Sequence, residues 1–344
     1  MRPSLTIVIP SHNRADLLRR CLASVLQHAP LDTEILVVDD ASPNHSVSQT
    51  ANAFAGVHVL RLARRCGFCA AVNAGIYAAR HPIVELLNDD TEVSAGWAEA
   101  ALAHFADSRI AAVAPLVLRG APGMGPPLID SAGDRYFLGG IAGKRGHGQP
   151  LAAGYLQGGE VFGVSASSAF YRRQALLDVG AFPEEFGAYF EDVDVSFRLH
   201  WAGHRLVYEP ASRVWHRVSA SHGRPTRRLL EQQSRNEERV FWRNLPNGDL
   251  LRALPWHAVV LAAKAYRRWQ AGELVPFLLG RLRAWGEMPH IRRHRRWLRQ
   301  WHTDANAMAW GVEPRFWGQR ECAEAHGEPW PSPQHVPSAS RATL

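Results

Sequence analysis

Between residue 4 and about residue 114 the chain switches repeatedly between short apolar runs and longer amphipathic ones. The runs "LTIVI", "EILVVD", "VHVLRL" and "IVELLN" are each bounded by polar or turn residues, as strands buried on both faces are. Between the first two, "RADLLRRCLASVLQ" sets Leu17, Leu18, Cys21, Leu22, Val25 and Leu26 on one helical stripe, so Cys21 is expected in the core. Strand alternating with helix predicts an α/β fold with a mainly parallel central sheet and crossover helices. An apolar fraction of 46% over 344 residues supplies a full core for it.

Residues 115–160 are rich in Gly and Pro and read as long loops, which inside a compact domain tend to be functional. A second ordered block follows with "SSAFYRRQALLDVGAF", then "EDVDVSFRLHWAG", then strand-like "HRLVYE" and "SRVWH". In that helix Val193, Phe197 and Trp201 share a face and Gly203 is placed as a C-terminal cap. Beyond residue 220 the composition shifts to Arg, Trp and Leu in helical stretches, and the Pro- and Ser-rich end is expected to be disordered. The predicted division is 1–219 as one α/β domain, 220–320 as a basic helical extension and 321–344 as a tail.

Acidic residues mark the ends of two strands. "ILVVDDAS" closes one with Asp39 and Asp40, and "VELLNDDTEV" closes another with Asp89 and Asp90. In an open parallel sheet ligands bind beyond the carboxyl ends of the strands, so both pairs point to one crevice. Each Asp taken singly is equally well read as the cap of the next helix; two pairs in equivalent positions favour a bound cation or donor groups that relieve their repulsion. A third group, Glu191, Asp192 and Asp194, crowds the start of a helix, where the macrodipole welcomes negative charge. The aromatic setting "FGAYFED" makes ionisation of these carboxyls costly, which suits a general base.

Together "TIVIPSHNRADLLRRCLASVL", "ILVVDDAS", "RCGFCAAVNAGI", "VELLNDDTEV" and "AYFEDVDVSFRLHWAGHRLVYEPASRVWH" resemble an inverting family 2 glycosyltransferase of the GT-A fold, with a rhamnosyltransferase-like flavour, over residues 4–219. The resemblance implies a nucleotide-sugar donor (a UDP- or dTDP-sugar), a saccharide or lipid-linked acceptor, a divalent metal (Mg²⁺ or Mn²⁺) and a role in cell-surface polysaccharide synthesis. It implies that Pro10, Asn13, Asp40, Asn73 and Asp89 serve the donor, that Asp90 and His216 hold the metal, and that Asp192, with Glu191 beside it, is the catalytic base. Departures fall on the acceptor side, where Pro183 and Glu184 follow "VGAF" and the segment before the second block reads "GVSASSAF". The different-class alternative is a non-catalytic scaffold that binds membrane or polyanions while its GT-A domain is degenerate. No G-x-G-x-x-G opens the chain, so a dinucleotide cofactor is not expected.

The pair Cys66 and Cys69 has redox spacing, yet runs straight into an alanine-rich helix and occupies slots that the resemblance fills with non-thiols. The four cysteines and a first apolar run too short for a signal peptide suggest the cytoplasm. No apolar stretch nears the roughly 18–20 residues of a membrane span. The net charge of +7 is concentrated late: Arg292, Arg293, Arg295, Arg296 and Arg299 interleave with Trp297 and Trp301. That helix has two equal readings, peripheral contact with anionic lipid at the inner membrane face, or tryptophans packed inward with arginines in water. Nucleic acid is not expected, because no recognised module accompanies the charge.

Overall fold

The computed structural model describes residues 3–123, 125–217, 226–301 and 306–314; the expected disordered tail lies outside them. The first half runs β1 (Leu5–Ser11), α1 (Ala15–His28), β2 (Glu34–Asp39), α2 (Ser46–Asn52), β3 (Val57–Arg61), α3 (Phe68–Ala78), β4 (Ile83–Leu87), β5 (Thr91–Val93), α4 (Trp97–Ala103) and β6 (Ile110–Arg119). Then come β7 (Leu128–Ser131), β8 (Asp134–Phe137), β9 (Ile141–Lys144), β10 (Gly159–Glu160), β11 (Ser168–Arg172), α5 (Arg173–Asp178), α6 (Glu191–Trp201) and β12 (Arg205–His216). Four helices follow: α7 (Arg227–Asn244), α8 (Asn247–Gln270), α9 (Leu274–Gly286) and α10 (Met288–Leu298).

The main sheet has the order β10-β12-β6-β11-β4-β1-β2-β3. Strands β1, β2, β3, β4, β6 and β12 run one way, and β11 is inserted antiparallel between β4 and β6. Side chains alternate across the sheet and feed two cores. Ile7, Ile9, Ile35 and Val37 meet α1, α2 and α4 on one face, with Leu18, Cys21 and Trp97 among the partners. Val8, Leu36, Val38, Val84 and Leu86 meet α3, α5 and α6 on the other. Helix α3 lies so close to β1 that a Cβ at Gly75 would stand 2.3 Å from a methyl of Val8, which is why the alanine-rich segment carries a glycine there. Cys69 is packed into this second core and burial pushes its thiol pKa up, whereas Cys66 is exposed.

The region read as loops holds more order than its composition suggested. Strand β6 continues past residue 114, β7 pairs with it, and β8 with β9 forms a small hairpin. The two runs "HRLVYE" and "SRVWH" are one strand, β12, whose register on β6 shifts between Arg205 and Leu206 and again between Glu209 and Arg213. Helix α6 ends as expected: Gly203 takes φ +81°, and the His204 N–H donates to the Leu199 carbonyl.

The late helices are packed onto the sheet domain. Val240, Phe241, Leu245 and Ala253 belong to the same core as α3 and α6, so the shift in composition at residue 220 does not mark a separate core. Their most specific contact is with the loop before α6, where Tyr189 and Phe190 adopt left-handed backbone at φ 70° and 67°. Such residues each cost roughly 1–2 kcal/mol. Helix α7 holds the loop there. Gln232 donates to the carbonyls of Phe186 and Ala188, and Asn236 to those of Phe186, Ala188 and Tyr189, all at 2.8–3.1 Å.

Beneath the carboxyl end of the sheet, Glu85 of β4 is fully buried, and Trp97 Nε1 donates to both of its oxygens at 3.0 and 3.1 Å. Burial raises its pKa to about 8 against the partial relief of Trp97 and Ser168. The folded carboxyl therefore binds its proton more tightly than the unfolded one, so stability falls as pH rises from the ordinary carboxylate range toward 8. Glu85→Gln, which keeps an acceptor for Trp97, is expected to flatten that slope and to stabilise the protein at pH 8 by on the order of a few kcal/mol. Urea melts at several pH values measure this; an unchanged slope would mean that Glu85 does not titrate there.

Candidate active site

Every acidic group singled out from the sequence, except Asp194, reaches one edge of the sheet, beyond the carboxyl ends of β1, β2, β4 and β12. At β2 the two aspartates differ. Asp39 is a bracket: it accepts from the Ser42 N–H and from the side chains of Ser48 and Arg61, and these bonds outweigh burial to lower its pKa. Asp40 Oδ1 accepts from the Cys66 N–H at 2.6 Å and Oδ2 from the Gly67 N–H at 2.9 Å, fixing the loop that opens α3. Pro10 is buried within β1. Asn13 is exposed just beyond it, with left-handed backbone whose N–H donates to Ser42 Oγ at 2.9 Å. Asn73 is 3% exposed; its amide pairs with both backbone groups of Phe182 and with Glu184, so it braces the turn carrying Pro183.

At β4, Asp89 Oδ2 accepts from Ser11 Oγ at 2.6 Å, and burial raises its pKa to about 6. Arg14 Nη1 stands 3.3 Å from Asp89 and 3.3 Å from Asp90. Strand β5 turns back immediately and pairs with the end of β12, Thr91 opposite His216, and the Arg217 N–H donates to the Asp90 carbonyl. This pairing brings a side chain 126 positions away to Asp90: His216 Nε2 lies 3.1 Å from Asp90 Oδ1. Its Nδ1 lies 3.0 Å from Asp130 Oδ2 on β7. Burial alone would discharge the imidazole, but the two carboxylates raise its pKa to about 9.

Asp192, at the start of α6, is partly buried. Oδ2 accepts from the Ala166 N–H at 3.1 Å and Oδ1 from the Val193 N–H at 2.9 Å. Burial raises its pKa, against those N–H groups and the Lys144 charge. Glu191 is 5% exposed, its Oε2 has no hydrogen bond, and burial with the nearby Asp192 charge holds its carboxyl well above the usual range. Asp194 turns away and pairs with Arg198, Asn244 and Arg243.

The two ends are joined twice. The Asn88 N–H donates to the Ser167 carbonyl at 3.0 Å, so the turn carrying Asp89 and Asp90 touches the turn whose Ala166 holds Asp192. On the other side Lys144 donates to Asp130 at 2.8 Å, and its charge acts on Asp134 and Asp192. Asp90 and Asp192 therefore belong to one continuous polar cluster. Arg14, Asp130, Asp134 and Lys144 are members that the sequence reading missed. Arg14 follows Asn13 directly and was within reach; the other three lie in the Gly- and Pro-rich stretch, where only the expectation of functional loops pointed to them.

Asp90 Oδ1 is buried without a well-formed hydrogen bond. A hard carboxylate oxygen such as that of Asp90 suits Mg²⁺ or Mn²⁺, and Mg²⁺ is often held by one or two carboxylates and completed by substrate phosphates. Among the described residues no three His, Cys, Asp or Glu side chains form a cage for a metal on their own. If His216 ligates through Nε2, Asp130 fixes its tautomer from the other side. Asp130→Asn is expected to weaken Mn²⁺ binding about 10–100-fold, read by calorimetry or by Mn²⁺ paramagnetic resonance. An unchanged affinity would show that the Asp130 charge does not support the site.

Residues 6–180 of the chain match the family Glycosyl transferase family 2. The chain is 33% identical over 216 residues to a pre-mycofactocin glycosyltransferase of Mycobacterium tuberculosis, covering 62% of this chain and 42% of that protein. The chain thus spans less than half the length of that curated relative. In fold it is similar to GalNAc-T7, solved with UDP, GalNAc and Mn²⁺, at TM-score 0.56 and 19% identity, covering 69% of this chain and 48% of the other. It is similar also to a mannosyltransferase from Pyrobaculum calidifontis in complex with GDP-Man and Mn²⁺, at TM-score 0.52 and 19% identity over 88% and 84% of the chains. The family match, which covers half of the chain, places it in glycosyl transferase family 2, and the likeness to the solved structures gives it the GT-A fold.

Proposed function

We propose that the chain transfers a sugar from a nucleoside-diphosphate donor to a saccharide or lipid-linked acceptor, with inversion at the anomeric carbon and with a divalent metal, in cell-surface polysaccharide synthesis. The observation that carries this reading is the meeting of Asp90 with His216, 3.1 Å apart at Oδ1 and Nε2, in one cluster with a partly buried Asp192. The donor kinds printed for the solved neighbours, UDP and GDP-Man with Mn²⁺, support it.

Asp192 accepts the proton of the acceptor hydroxyl as that oxygen attacks. Its carboxylate is aimed by the N–H groups of Ala166 and Val193, and its raised proton affinity makes it a better base near neutrality than a solvated aspartate. Burial and the neighbouring Asp192 charge raise the proton affinity of Glu191, which disfavours a second negative charge beside the base. Asp90 and His216 hold the metal, Asp130 orients His216, and Asp89 is kept in place by Ser11 and Arg14. A bound cation supplies positive charge for the departing diphosphate. Asp40 and Asn73 serve the donor pocket as holders of its walls, the first by fixing the loop at Cys66 and Gly67, the second by fixing Phe182. One base and one displacement give inversion.

Calorimetry with UDP, dTDP and GDP, with and without Mn²⁺, followed by a donor screen and NMR of the product anomer, tests the reading. Metal-dependent binding of one nucleotide and an inverted product are expected. No nucleotide binding would favour the scaffold, and retained configuration would remove the single-base mechanism.

A further inference from the structure

We propose that the outer faces of α8 and α9, together with the arginines of α10, form a docking surface for an anionic lipid bilayer. The basic helix α10 was the sequence's candidate for such contact, but it is only part of it. Arg295 turns inward to the Trp242 carbonyl and to Asn247, and Trp297 packs against the core, while Arg292, Arg293, Arg296 and Arg299 remain exposed.

The apolar part lies on the preceding hairpin. The inner face of α8 is used by Ala253, His257 and Val260, and that of α9 by Phe277, Gly280 and Ala284. A Cβ at Gly280 would stand 2.4 Å from the Glu231 carbonyl, so α9 is pressed directly onto α7. The opposite faces are apolar as well, which an ordinary surface helix avoids. Leu251, Val259, Tyr266 and Trp269 on α8, and Val275 and Leu282 on α9, are 49–70% exposed. They recur at helical spacing along both helices, which join through a tight turn where Gly272 takes φ +71°.

Charge complementarity selects the occupant. From residue 247 to 301 the only carboxylates are Asp249, Glu273 and Glu287. Asp249 is 5% exposed and accepts the Ala307 N–H, Glu273 pairs with Arg268, and Glu287 with Arg235 and Arg239. The surface thus offers hydrocarbon and cations with no exposed anion. A second copy would bring the same cations to the same face and be repelled. A bilayer with acidic head groups satisfies both halves, its acyl boundary taking the leucines and valines and its phosphates the arginines, with Tyr266 and Trp269 at head-group depth. No described helix is long and apolar enough to cross a membrane, so the hairpin would lie in the interface.

The full chain should float with vesicles of phosphatidylcholine mixed with phosphatidylglycerol, and not with phosphatidylcholine alone. Arg292→Gln, Arg293→Gln and Arg296→Gln combined should weaken that binding on the order of a hundredfold. Trp269→Ser with Leu282→Ser should lower it at least about tenfold with the charge unchanged, and should reduce the blue shift of tryptophan fluorescence. All five positions are exposed, and unchanged thermal melts and nucleotide binding confirm that the variants fold. Equal binding to both vesicle types, or binding indifferent to the Trp269 and Leu282 pair, overturns the proposal. So does concentration-dependent dimerisation that the same pair abolishes, which would make the face a self-interface.

Discussion

Asp192→Asn is expected to lower sugar transfer by about 10²–10⁴-fold while leaving metal-dependent nucleotide affinity within a fewfold of the parent. Asparagine has nearly the same shape but only one acceptor oxygen for the two N–H groups of Ala166 and Val193, so one of those bonds is lost together with the proton-accepting charge. The pH profile carries a second readout. Burial raises the Asp192 pKa, so in the parent enzyme the rate should rise with pH through a group above the ordinary carboxylate range and be lost on acidification as the base takes up its proton. The variant's residual rate should lack that limb. Transfer retained at the parent rate would remove Asp192 as base; equal loss of nucleotide binding would show that the change had disturbed the donor end instead.

What the sequence made legible here was local. Strands β1 to β4 stand out because each is a short apolar run between polar punctuation, and the start of α6 because three carboxyls and a closing glycine frame it. The strand-end aspartates followed from those assignments, since a parallel sheet sends the carboxyl ends of its strands to one edge. Long-range pairing was legible only through the resemblance, which set His216 with Asp90; the residues alone do not show that β5 folds back on β12 to bring them together. Asp130 was not legible at all, because it meets His216 through the pairing of β7 with β6, in a stretch whose glycines and prolines hide short strands. The sequence places Asn73 by the donor pocket but does not show that its amide pairs with Phe182, a partner 109 positions on. Helix α7 looked like an appendage for a related reason: Gln232 and Asn236 bind backbone carbonyls of the loop before α6, and no side-chain complementarity in the sequence announces a contact with backbone. Polar residues on an otherwise amphipathic helix read as solvated until the loop they hold is seen.

Asp90→Asn should weaken Mn²⁺ binding at least about a hundredfold and carry nucleotide binding and transfer down with it, because a direct ligand matters more than the outer partner Asp130. The pH dependence distinguishes this from general damage. Two carboxylates lift His216 to a pKa of about 9, so below that pH the imidazole must shed a proton before Nε2 can ligate. In the parent protein Mn²⁺ affinity should therefore climb with pH, by up to about tenfold per unit while the other ligand groups are ionised, and level off near 9. Removing the Asp90 charge takes away one of the two influences that raise the imidazole pKa, so in the variant the plateau should begin at lower pH even though the affinity is weaker throughout. Histidine NMR follows the same change directly, as a lower His216 pKa with Nδ1 still bonded to Asp130. If the climb is absent in the parent, proton and metal do not compete for Nε2, and Asp90 would have to bind the cation without His216.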